Sequence, residues 1–68
     1  MEGWKRWMGK KVFLRTNNNR VYSGVVQEVE DVGDDLFFIS IIDKFGKWMT
    51  VVNKEIVEIK EEDNNGHT

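Results

Sequence analysis

Trp4, Lys5, Arg6 and Trp7, followed by Lys10 and Lys11, interleave cations with flat indole rings. Single-stranded nucleic acid is held by this combination, because bases stack on aromatic faces while ammonium and guanidinium groups meet the phosphates. A solvated helix face is the plainer account of the same residues. The second chemically suggestive stretch is Glu30-Asp31-Val32-Gly33-Asp34-Asp35, with four carboxylates in six residues. Carboxylates bind hard cations through oxygen, but this spacing lacks the alternating ligand pattern of a calcium loop, so the segment reads as an acidic turn and no metal site is assigned.

Nucleophilic and general-base chemistry has little to draw on. There is no cysteine, which removes disulfides, thiolate zinc sites and cysteine nucleophiles together, and the only histidine, His67, lies in a polar tail. Carboxylate catalysis needs two acids converging in a cleft with separated proton affinities, and a chain of 68 residues offers little cleft. The chain therefore reads as a non-enzyme without a cofactor.

The net charge of −2 conceals an asymmetry. Residues 1–27 hold six basic residues against one acid; residues 28–68 hold four lysines against eleven acids. Only one part of the surface is suited to phosphates. No apolar run approaches the roughly 20 residues of a membrane span, and the first ten residues contain no signal-peptide core, so a cytoplasmic location without membrane contact is expected.

These side chains must be positioned by a small domain, expected over residues 1–60, with 61–68 as a disordered polar tail. Trp4, Trp7 and Met8 recur at i, i+3 and i+4, which predicts a short helix over about 3–8, stopped at Gly9 and lying on something apolar. Its role is a lid over an apolar end, or else an exposed aromatic platform. Alternation of Val12, Leu14 and Thr16 with Phe13 and Arg15 predicts a strand over 11–16. Asn17-Asn18-Asn19 is a turn, and 20–29 a second strand in which Gly24 marks a sharp bend, a bulge or the close approach of another backbone. The centre of the sequence is Leu36 to Ile59, with strands expected over 36–43, 48–52 and 56–60 around a turn at Lys44-Phe45-Gly46-Lys47 and a break at Asn53-Lys54-Glu55. The strands over 36–43 and 48–52 are apolar on both faces, so something must cover both sides.

A short helix followed by five antiparallel strands, the second bent, is an all-β layout of the small SH3-like barrel type. From Gly9 to Lys60 the chain resembles the Sm-like family of RNA-binding ring proteins. The resemblance is carried by Gly9, Val12, Leu14, Arg20, Tyr22, Gly24 and Val26 in the first half, and by Val51 and Ile56-Val57-Glu58-Ile59 in the second. It implies a strongly bent five-stranded sheet whose fourth strand pairs with the fifth strand of the next copy, closing a homo-oligomeric ring of about five to eight copies. Trp48, Met49, Val51, Val52, Ile56, Val57 and Ile59 would then form the interface between copies.

The resemblance also implies a base pocket made by the loops after the second and fourth strands. Here Asp35 stands at the family's asparagine position, Val32 and Gly33 near its stacking position, and Val52-Asn53 in place of an Arg-Gly pair. A carboxylate does not donate as an amide does, and valine does not stack or pair as arginine does. The expected function is thus single-stranded RNA binding with an atypical base site. Its candidate residues are Trp4, Lys5, Arg6, Lys10, Lys11, Asp35, Asn53 and Lys54. The alternative expectation, drawn from the altered pocket and the acidic second half, is an SH3-like module that binds or scaffolds proteins and has no RNA function.

Overall fold

A computed structural model describes residues 3–62. Five strands form one antiparallel sheet: β1 Lys11–Thr16, β2 Val21–Gly33, β3 Leu36–Ile42, β4 Trp48–Val52 and β5 Ile56–Glu61. Their spatial order is β4-β3-β2-β1-β5. The long strand β2 is shared between two halves. Its first part, Val21 to Val25, pairs with β1, and its second part, Val25 to Gly33, pairs with β3. In turn β1 carries β5 and β3 carries β4.

Seven apolar residues form one core: Val12 and Leu14 from β1, Val26 and Val29 from β2, Ile39 and Ile41 from β3, and Val51 from β4. A flat sheet could not bury one of its own faces so completely without a second layer, so this sheet curls over itself. Gly24 shows where. A Cβ at this position would stand 2.3 Å from the carbonyl oxygen of Ile42 and 2.8 Å from its carbon. The expected close approach of another backbone is thus present, and it is the end of β3 that crosses Gly24. The curl does not become a closed barrel within one chain, because β4 and β5 lie at opposite ends of the strand order and are not paired with each other.

Several boundaries differ from the sequence reading. In place of a helix over 3–8 there is a single 3₁₀ turn, Lys5–Trp7, made by Trp7 N–H to Trp4 O and Met8 N–H to Lys5 O, both 3.1 Å. Gly9, at φ 78°, then donates its N–H to Val26 O at 2.9 Å. That bond ties the chain to the sheet before a second helical turn can form. Trp4 and Trp7 pack against the core as a lid would, but Met8 is turned out and exposed. The second strand continues to Gly33, so the acidic segment is mostly strand. Its loop is only Asp34-Asp35, both in the left-handed region at φ 57° and 61°, the two-residue turn whose twist matches that of the flanking strands. β3 ends at Ile42 rather than Asp43, whose carboxylate Oδ1 accepts from the N–H groups of Phe45 and Lys47 and so shapes the turn to β4. At the other end β5 includes Glu61, and Glu62 N–H donates to Lys11 O at 2.8 Å, so the ordered chain reaches past the predicted start of the tail. The remainder of that tail, from 63 to 68, lies outside the described residues, His67 included.

Candidate functional site

Two loops and the N-terminal turn converge at one end of β3. The link is Asn53, the first residue of the 3₁₀ turn Asn53–Glu55 between β4 and β5. Its Oδ1 accepts from Phe37 N–H at 2.9 Å and its Nδ2 donates to Asp35 O at 3.0 Å. One amide thereby clamps the last loop residue and the start of β3, meeting a donor and an acceptor with the two different ends of its side chain. Beside this clamp lies an open depression of about 330 Å³ lined by Gly3, Trp4, Asp35, Phe37 and Asn53. Its volume is at the lower end of the range of about 300–1,000 Å³ usual for ligand sites.

Of the eight residues that the sequence suggested for RNA contact, three meet here: Trp4, Asp35 and Asn53. Lys5 and Arg6 are exposed on the turn next to Trp4, the Arg6 guanidinium lying 4.9 Å from the centroid of the Trp7 ring. Lys54 is exposed on the 3₁₀ turn next to Asn53. Lys10 is exposed ahead of β1, but Lys11 is half-buried and belongs to a different depression, of about 350 Å³, with Ser23, Lys44 and Phe45. That second depression adjoins the β3–β4 turn. It stands roughly 20 Å from the first, since β3 separates them at about 3.3 Å per residue. The eight candidates therefore do not form one patch.

Phe37 and Gly3 are the residues in the first depression that the sequence did not single out, and Phe37 is the one with a side chain to offer. Its alternation with Ile39 and Ile41 marks it as inward-facing, and nothing in the pattern says that this end of the strand stays open. Phe45 was equally unmarked, being read as part of a turn; it is 82 % exposed, with Lys44 Nζ 5.4 Å from its ring centroid.

Some of the acids are held in local structure. Asp31 Oδ1 accepts from Gly33 N–H at 2.9 Å and Ser23 Oγ donates to Glu62 Oε1 at 2.8 Å, while Arg15 pairs with Glu58 at 3.2 Å across the β1–β5 ladder. Among the described residues no group of three or more His, Cys, Asp or Glu is arranged to hold a metal ion, and no helix is long and apolar enough to cross a membrane.

The residues suggested for a contact between copies divide by strand face. Trp48 on β4 and Val57 on β5 are exposed, at 56 % and 54 %. Met49, Ile56 and Ile59 are partly buried against the core, and Val52 is half-buried. Val51, only 5 % exposed, belongs to the core of its own chain, so its side chain is not available to a second copy. The backbones of β4 and β5 nonetheless each have one side without a strand partner among the described residues. Compared with protein-family models, curated proteins and solved structures, the chain finds no match.

Proposed function

We propose that the protein is a non-enzymatic, Sm-like binding module that assembles edge to edge into a homo-oligomeric ring and holds single-stranded RNA. The observation that carries the reading is the strand order. In β4-β3-β2-β1-β5 both ends of the row are open edges among the described residues, and they are different strands. Unpaired edges are a liability that a fold must cover. Two different edges on one copy favour a heterologous contact, which closes into a ring when the rotation between copies divides a full turn. Trp48 and Val57, one on each edge strand and both more than half exposed, supply apolar area for it.

RNA enters through the depression at the Asn53 clamp. Trp4 and Phe37 offer aromatic surface and Asp35 and Asn53 offer hydrogen-bonding groups, with Lys5, Arg6 and Lys54 nearby to meet phosphates. The exposed aromatic pair Phe45 and Trp48 favours the second reading, an SH3-like module that docks on a protein partner.

Light scattering tests the assembly: about five to eight copies are expected, and a monomer at micromolar concentration would remove the ring. The variant Trp48→Glu should lower the mass while leaving the circular dichroism spectrum unchanged. RNA binding is tested with oligo-U, oligo-A and oligo-dT at low and moderate salt, with charge reversal at Lys5 and Lys54 expected to weaken binding. No binding at low salt, together with recovery of one specific protein after nuclease treatment, would transfer support to the second reading.

A further inference from the structure

We infer that the depression beside Asn53 selects a guanine base over uracil. This deepens the RNA-binding reading above and rests on it. The argument is one of hydrogen-bond inventory. Asn53 has committed one Oδ1 lone pair to Phe37 N–H and one Nδ2 hydrogen to Asp35 O, and the amide cannot flip without placing like against like at both partners. Among the described residues, what it has left is a second Nδ2 hydrogen, its one remaining donor, beside the second lone pair of Oδ1. Asp35, the other lining residue with a polar side chain, carries a carboxylate, which only accepts. The lining residues therefore supply one donor from a fixed amide and a two-oxygen acceptor on the residue whose backbone that amide holds.

The Watson–Crick edge of guanine is the complement: O6 accepts, while N1–H and the N2 amino group donate side by side to one carboxylate. Uracil carries a single donor, N3–H, between two carbonyl oxygens, so one carboxylate oxygen would face O2 with no proton between them. Adenine and cytosine each put only one donor group on this edge. Trp4 and Phe37 provide stacking surface to any base alike, so selection falls to Asp35 and Asn53. The nearby acid Asp31 is not among the residues that line the depression. Arg6 and Lys54 lie on the two segments bordering the depression and offset the charge of Asp35 toward a phosphate.

The test uses the full chain and fluorescein-labelled heptanucleotides of uridine whose central residue is guanosine, inosine or uridine, read by anisotropy. One bidentate pair at an open site should make the guanosine heptamer bind at least about fivefold tighter than all-uridine. Inosine, which lacks the N2 amino group, should fall between. Asp35→Asn should abolish the preference without unfolding the chain, because asparagine is well tolerated at φ 61°. Trp4→Ala should weaken all three heptamers by a similar factor, about fivefold or more. Equal binding of guanosine and uridine heptamers would overturn the base choice and leave RNA binding standing. A guanosine preference that survives Asp35→Asn would overturn the site. No binding of any heptamer would overturn both this inference and the RNA reading.

Discussion

Replacing Gly24 with alanine isolates the contact on which the curl of the sheet depends. Gly24 is not in the left-handed region, so alanine meets no backbone-angle penalty there; the obstacle is purely steric. The added carbon would lie 2.3 Å from Ile42 O, 2.8 Å from Ile42 C and 3.2 Å from the Cα of Asp43, and all three are backbone atoms. No rotamer change can relieve such a contact. An ordinary carbon–oxygen separation requires β2 and the end of β3 to part by about 1 Å, across the pairing of Val25 with Ile42 and the dense core beside it. Overpacking of this kind costs about 1–3 kcal/mol and more where backbone must move. Alanine recovers about 0.5–1 kcal/mol that glycine loses in a strand. The net loss should be about 2 kcal/mol, a large share of the total for a chain this small. For a domain of this size the melting temperature should fall by about 10 °C. Urea unfolding followed by tryptophan fluorescence, at matched protein concentration, measures the loss, with Gly3→Ala as control because a Cβ there meets nothing within 4 Å. Equal stability of Gly24→Ala and Gly3→Ala would refute the close-approach argument.

Leu14→Ala, at a side chain with no exposure, should cost about 2–5 kcal/mol in the same urea titration. Asn53→Ala removes both bonds of the clamp and should cost about 1–3 kcal/mol, while hydrogen exchange at the amide of Phe37, which now donates to Asn53, speeds up. Replacing Asp34-Asp35 by Asn-Gly, the preferred pair for two consecutive positive φ values, should raise stability by about 0.5–1 kcal/mol, read as a higher urea midpoint at unchanged slope.

Strand identity was legible because alternation is a local signal. Val12, Leu14 and Thr16 on β1, and Ile39 and Ile41 on β3, are the inward-facing residues that the period of two predicts, and all are buried. Gly24 was legible as a structural glycine, although only the coordinates name Ile42 as what it admits. The turns were less legible. Acids at 30, 31, 34 and 35 read as a single loop by composition, yet the chain is strand up to Gly33, directly before Asp34, and Glu30 pairs with Phe38 and Asp31 with Phe37 in the β2–β3 ladder. An exposed strand face tolerates carboxylates as readily as a loop does, so composition could not tell them apart. The N-terminal segment failed for another reason. A spacing of three and four fits one turn of any helix, and the bond from Gly9 to Val26 that stops the turn joins residues seventeen apart in sequence.

Asn53 shows most clearly how a residue's structural role can be hidden in a sequence. Beside a family that carries arginine and glycine after the fourth strand, Val52-Asn53 reads as a loss of function. In the folded chain Asn53 is what brings the two loops together, and the chemistry it retains after clamping Asp35 and Phe37 is directional. Arginine would offer five donors on a long stem and a charge, whereas this amide offers one donor fixed within its own hydrogen-bond frame. Fixed geometry loses less conformational entropy on binding, and a single donor discriminates between base edges where a many-donor group is permissive. Asn53→Gln tests this directly. It keeps the amide but adds a methylene, so it can make the clamp or face the depression but cannot do both in the observed geometry. It should therefore lower affinity for guanosine heptamers several-fold while costing less stability than Asn53→Ala, and a glutamine variant that binds as tightly as the native chain would show that the clamp does not orient the donor.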